Sequence, residues 1–116
     1  DPAARIVRIR MQDAITFNDV AAIVAELSGD PRIGEKFVAL VDLTGATTAA
    51  ITADEVRAVA SSEMVAFHRR AIVAPDPPTF GLARLFGAHR EMSYPKERVG
   101  VFKTLSEANR WLESGA

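Results

Sequence analysis

The run Phe37-Val38-Ala39-Leu40-Val41-Asp42-Leu43-Thr44-Gly45 constrains the fold of this chain more than any other segment. It is apolar without alternation until it meets an acid, a hydroxyl and a glycine. An amphipathic helix would interrupt such a run with polar residues every three or four positions, and a half-exposed strand would do so every second one. A strand buried on both faces does neither, and such strands belong to sheets covered by helices. Asp42 and Thr44 are then expected where the strand leaves the sheet. Open α/β sheets place their ligand sites at the carboxyl ends of their strands.

The remaining segments fit the same class. Residues 5–11 alternate, with Val7, Ile9 and Met11 on one side and Arg8 and Arg10 on the other. That pattern predicts a half-exposed strand near the sheet edge, and Gln12-Asp13 is expected to turn it into a short returning strand over residues 14–16. Thr16 is placed to cap a helix, with Asp19 in its first turn and Val20, Ile23, Val24 and Leu27 along one buried face. Gly29-Asp30-Pro31 ends that helix. After the 37–43 strand, Thr52-Ala53-Asp54-Glu55 forms a capping box flanked by the staple pair Ile51 and Val56, and the helix is expected to reach about Ala66. Residues 70–74 read as a short strand, which Pro75-Asp76-Pro77-Pro78 stops. Thr79 is expected to cap a third helix reaching His89. Residues 98–103 form a last strand. Thr104-Leu105-Ser106-Glu107 repeats the capping pattern, with Leu105, Ala108, Trp111 and Leu112 as the buried stripe of a fourth helix. Strands alternating with helices imply parallel pairing and right-handed crossovers.

Composition narrows the function classes. At 116 residues, 48% hydrophobic and 25% charged, the chain is expected to be one globular domain over residues 1–116. A net charge of −1 argues against a general nucleic-acid binder, which carries a basic excess. The absence of cysteine excludes disulfides, thiol catalysis and thiolate metal sites. The two histidines, His68 and His89, lie far apart, so no metal site and no cofactor is expected. No apolar stretch is long enough to span a bilayer. No signal-like segment opens the sequence, so the cytoplasm is the expected location.

Several strand-end loops should converge on one crevice, whose candidate residues are Asp42, Thr44, Asp76, Thr79 and Arg84. Asp and Thr before a glycine also suit a plain turn, because their side chains bond to nearby backbone. Neither standard glycine-rich phosphate loop is present. Thr52 is a candidate regulatory hydroxyl at a helix N-terminus, where the favoured reading is an ordinary cap. His68-Arg69-Arg70 reads as a solvated basic cluster at the opposite end of the sheet. Trp111, at core spacing, reads as an anchor of the last helix.

The strand end Val41-Asp42-Leu43, the capped Ile51-Thr52-Ala53-Asp54-Glu55, Arg69-Arg70-Ala71-Ile72-Val73, Phe80-Gly81-Leu82-Ala83-Arg84-Leu85-Phe86, and Val101-Phe102 with Glu107-Ala108 and Trp111-Leu112 together resemble the SpoIIAA-like family of the STAS superfamily, small bacterial proteins also described as STAS/SEC14-like. The resemblance implies an α/β fold: a single mixed, mostly parallel sheet of four or five strands with about four helices packed on it. It implies a non-enzymatic binding or regulatory domain acting through a protein partner or a second copy of the chain. The phosphorylated serine of the anti-sigma antagonists falls near Ile51-Thr52, but their Asp-Ser-Ser-Gly-Leu pattern is missing here. The SEC14-like side of the comparison implies the alternative, a carrier or binder of a small apolar ligand or lipid, with an apolar pocket beside the helix of residues 80–86.

Overall fold

The computed structural model describes residues 5–114. These residues form four strands and four helices in strict alternation: β1 Ile6–Ala14, α1 Phe17–Ser28, β2 Val38–Thr47, α2 Ala53–Ser61, β3 Arg69–Val73, α3 Pro77–Ser93, β4 Arg98–Phe102 and α4 Leu105–Glu113. The strands make one sheet in the order β1-β2-β3-β4, and every neighbouring pair is parallel. Strands added one after another in a single direction, through right-handed crossovers, bring their connecting helices to one face. The apolar cluster of that face joins Leu43 and Ile72 to Ala83, with Phe80 and Phe86 packed against it. α4 follows the last strand and packs on the other face, where Leu40, Ala71, Val73 and Ala108 meet Phe102, Trp111 and Leu112. Both faces of β2 and β3 are therefore covered, as the unalternating apolar run requires.

The sheet is purely parallel, not mixed, and the expected hairpin at Gln12-Asp13 does not form. Asp13 takes a left-handed φ of 62°, which aspartate tolerates, but the strand continues. β2 supplies partners beyond Asp42: Gln12, Asp13 and Ala14 pair with Gly45, Ala46 and Thr47 after a register shift. β3 stops opposite Asp42. Asp42 thus marks where β2 loses its inner neighbour, while the strand itself runs on to Thr47.

The caps follow the sequence closely. Thr16 and Thr52 each accept from the backbone N–H three residues on, and Asp19 and Glu55 return the bond to the cap backbone. Thr104 accepts from the Glu107 N–H, while the Glu107 carboxylate takes the Thr104 hydroxyl. α3 starts earlier than expected, with Asp76 as its cap and prolines in its first turn, where their missing N–H costs nothing. α2 ends at Ser61 instead of near Ala66. The hydroxyls of Ser61 and Ser62 bond back to the Arg57 and Val59 carbonyls, competing with continued helix.

Two glycines permit close approach. A Cβ on Gly87 of α3 would lie 3.1 Å from Val99 of β4, and one on Gly100 would lie 2.8 Å from the Phe102 ring. Among the described residues, no helix is long and apolar enough to cross a membrane.

Candidate functional site

α1 stands apart from the other helices. Its apolar stripe of Phe17, Val20, Ile23, Val24 and Leu27 faces the sheet, yet among its described residues none is fully buried. The sequence pattern predicts a buried face here. The structure instead leaves a pocket of about 150 Å³ between that stripe, the sheet and the inner sides of α2 and α3. Its floor is Ile9, Met11, Val41, Leu43 and Ile72, and its walls include Val56, Val59, Leu82 and Phe86. The lining is almost wholly hydrocarbon. Thr48 and Thr79 are two of its few polar members; the Thr79 hydroxyl donates to Asp76, so it accepts from the Thr48 hydroxyl at 3.1 Å.

Charge enters the pocket through Glu55 of α2 and through Arg70, which belongs to a buried cluster. Arg70 and Arg69 are adjacent on β3, so their side chains leave on opposite faces. Both are buried, contrary to the solvated cluster read from the sequence. Arg69 lies 4.8 Å from the Trp111 ring and donates to the Trp111 carbonyl and the Ser114 hydroxyl. A cation at a helix C-terminus is favourable, so the two residues anchor α4 together.

Arg70 turns the other way and meets Glu97. Its Nη2 donates to Glu97 Oε1 at 3.3 Å and to the Val65 carbonyl at 3.2 Å. Its Nε lies 3.1 Å from Glu97 Oε2, within ion-pair range, but is not aligned for a hydrogen bond. Arg90, fully buried, also claims Glu97 Oε2 at 3.2 Å and donates to the carbonyls of Ala60, Ser62, Met64 and Val65. Glu97 Oε1 further accepts from the Phe67 N–H at 2.9 Å. Two guanidinium groups thus share one buried carboxylate. Burial pulls the Arg70 guanidinium below its ordinary pKa; Glu97 opposes that shift and Arg90 adds to it. Arginine remains protonated through such shifts.

The crevice residues read from the sequence are engaged locally and do not share one surface. Asp42 is in register with Arg10 and, by strand alternation with Leu43, points to the α4 face. Its carboxylate accepts from the Thr44 N–H at 2.9 Å and from the Thr44 hydroxyl. Those bonds, the hydroxyl first, hold its pKa below the usual carboxylate range, against partial burial and with help from Arg10. Asp76 spends its carboxylate on the Thr79 N–H and hydroxyl. Thr79 is buried beneath the α1–α3 side and lines the apolar pocket. Arg84 is exposed and borders a separate depression over β4, beside Phe80, Glu91 and Val101. Thr52 is the cap of α2, its hydroxyl and N–H both bonded to Glu55.

Sequence reasoning missed the Arg70–Glu97–Arg90 cluster, because Arg70 lies on β3, Arg90 on α3 and Glu97 in the loop before β4, and together they form no local motif. One available signal was a pair of arginines opening an otherwise apolar strand. Among the described residues, no group of three or more His, Asp or Glu side chains is placed to hold a metal ion. Comparison with protein-family models, with curated proteins and with solved structures returns no match for this chain.

Proposed function

We propose that this chain is a non-enzymatic, STAS-like binding domain of a bacterial cytoplasm, whose ligand is a small apolar molecule held between α1 and the sheet. The observation that carries this reading is the pocket of about 150 Å³ under an apolar helix stripe that buries none of its residues completely. Hydrocarbon walls left apart forfeit dispersion contacts that a ligand of matching shape restores. A dry apolar cavity of about this volume accommodates a benzene-sized molecule. At about 0.8 kcal/mol per buried methylene, a ligand of about six carbons reaches dissociation constants in roughly the millimolar range. The SEC14-like side of the resemblance supports the same occupant. Asp42 has its pKa held low, opposite to what a general base working near neutral pH requires.

The test is a titration with 1-hexanol followed by protein-observed NMR. Saturable shifts should appear on Val24, Leu43 and Leu82, and Val59→Trp, which fills the pocket, should weaken binding about tenfold or more. A folded wild type that takes up no 1-hexanol contradicts the reading.

A protein partner is the second reading. It is favoured by the strip of Arg8, Arg10 and Thr44, all exposed on β1 and β2, while α4 packs over β2, β3 and β4. A host protein retained by wild type and lost with Arg8→Glu/Arg10→Glu supports it; equal recovery with both contradicts it.

A further inference from the structure

Arg70 lines the apolar pocket while its hydrogen-bonding capacity is only partly used. Its Nε has no hydrogen-bond partner, and the acceptor of its Nη1 is the Met64 thioether, 3.9 Å away. Sulfur is a weak acceptor, and an ionised group left short of acceptors away from water is costly. The shortage has an identifiable origin. Glu97 is the carboxylate paired with both Arg70 and Arg90, so the cluster carries one formal positive charge in excess. Glu55 is the other charged side chain of the lining; its Oε1 accepts from the Thr52 N–H and hydroxyl at the start of α2, and it makes no ion pair with Arg70, whose carboxylate partner is Glu97. Phe67 and Phe86 stack on the Arg70 guanidinium at 4.9 and 5.3 Å. Such ring contacts favour the cation without neutralising it.

We infer that the ligand of this pocket is an anionic amphiphile, a short-chain or monocyclic carboxylate whose apolar body lies under α1 and whose carboxylate pairs with Arg70. This rests on the apolar-ligand reading and adds the polar end to it. An incoming carboxylate replaces the Met64 sulfur as the acceptor of Nη1 and balances the second guanidinium of the Arg70–Glu97–Arg90 cluster. A charge-assisted hydrogen bond of this type is roughly twice as strong as a neutral one, and the guanidinium has already been desolvated by the fold. An alcohol of the same length fills the hydrocarbon part of the pocket equally well but leaves the excess charge standing.

The experiment compares hexanoate with 1-hexanol on the full chain by calorimetric or NMR titration, in wild type, Arg70→Gln and Arg70→Lys. Hexanoate is expected to bind wild type at least about tenfold more tightly, the factor that about 1.4 kcal/mol provides. Arg70→Gln should abolish that preference, so that hexanoate binds no more tightly than 1-hexanol. Arg70→Lys, which keeps the charge, should retain part of it. In wild type alone, the Arg70 Nε–H resonance should move with hexanoate and not with 1-hexanol, so the inference stays testable if the Gln variant does not fold. Equal affinity for the two ligands, or a preference that survives Arg70→Gln, overturns the carboxylate inference and leaves the apolar site standing. Binding of neither ligand overturns both.

Discussion

Glu97 is the residue on which most of the buried polar structure depends. Its two oxygens meet Arg70, Arg90 and the Phe67 N–H, and Arg90 in turn holds the carbonyls at the end of α2 and in the loop beyond it. Removing one side of a buried ion pair strands the other without water, at a cost of about 3–5 kcal/mol. Glu97→Gln should therefore lower the unfolding free energy by about that amount in a urea titration; a loss below about 1 kcal/mol would mean that the arginines find other acceptors. Asp42 offers a gentler test. Its folded pKa lies below the unfolded value, so its stabilisation is fully present above the unfolded pKa of about 3.9 and is lost as pH falls through the folded value. Asp42→Asn should cost about 1 kcal/mol at neutral pH. The gap from wild type should close as pH drops below about 4, measured by denaturant midpoints across pH. A gap that stays constant would remove Thr44 and Arg10 as its cause.

At the scale of elements, α1 and α2 begin with the same reciprocal cap but are held differently. α2 packs against α3 and buries Ala60; none of the described residues of α1 is fully buried. Local opening costs little where few apolar contacts are lost. Amide exchange in α1 should be faster than in α2 and much faster than in β2 and β3, and equal protection in α1 and β3 would contradict this packing. Thr52→Ala should cost about 1 kcal/mol as a lost cap, read as a shift in the thermal midpoint. The elements themselves were legible from sequence because their signals are local: the run through Leu40 and Val41, the box at Thr52, the prolines at Pro77 and Pro78. The exact ends were less so. α2 stops early because of serine hydroxyls and the distant Arg90, and β1 runs on because β2 offers Gly45–Thr47 partners. The burial of Arg69 and Arg70 was illegible for a similar reason, since their partners Trp111, Ser114 and Glu97 lie 27 to 45 residues away.

At the scale of the molecule, the described residues form a four-stranded parallel sheet with three helices on one side and one on the other. That asymmetry brings α1, α2 and α3 together over one sheet face, where the apolar pocket lies. It also separates Asp42, on the α4 side, from Thr79, beneath the pocket, so the crevice suggested by strand-end residues divides between two surfaces. In the pocket, among the described residues, an apolar lining meets a buried cation, Arg70, whose Nε lacks a hydrogen-bond partner. Whether the pocket is a true site is tested most directly by intermolecular nuclear Overhauser effects between bound 1-hexanol and the methyl groups of Val24 on α1, Leu43 on β2 and Leu82 on α3. The account predicts ligand contacts to all three at once. Direct Val24–Leu43 contacts in the presence of saturating 1-hexanol, with no ligand contact to either, would show α1 collapsed onto the sheet and would contradict it.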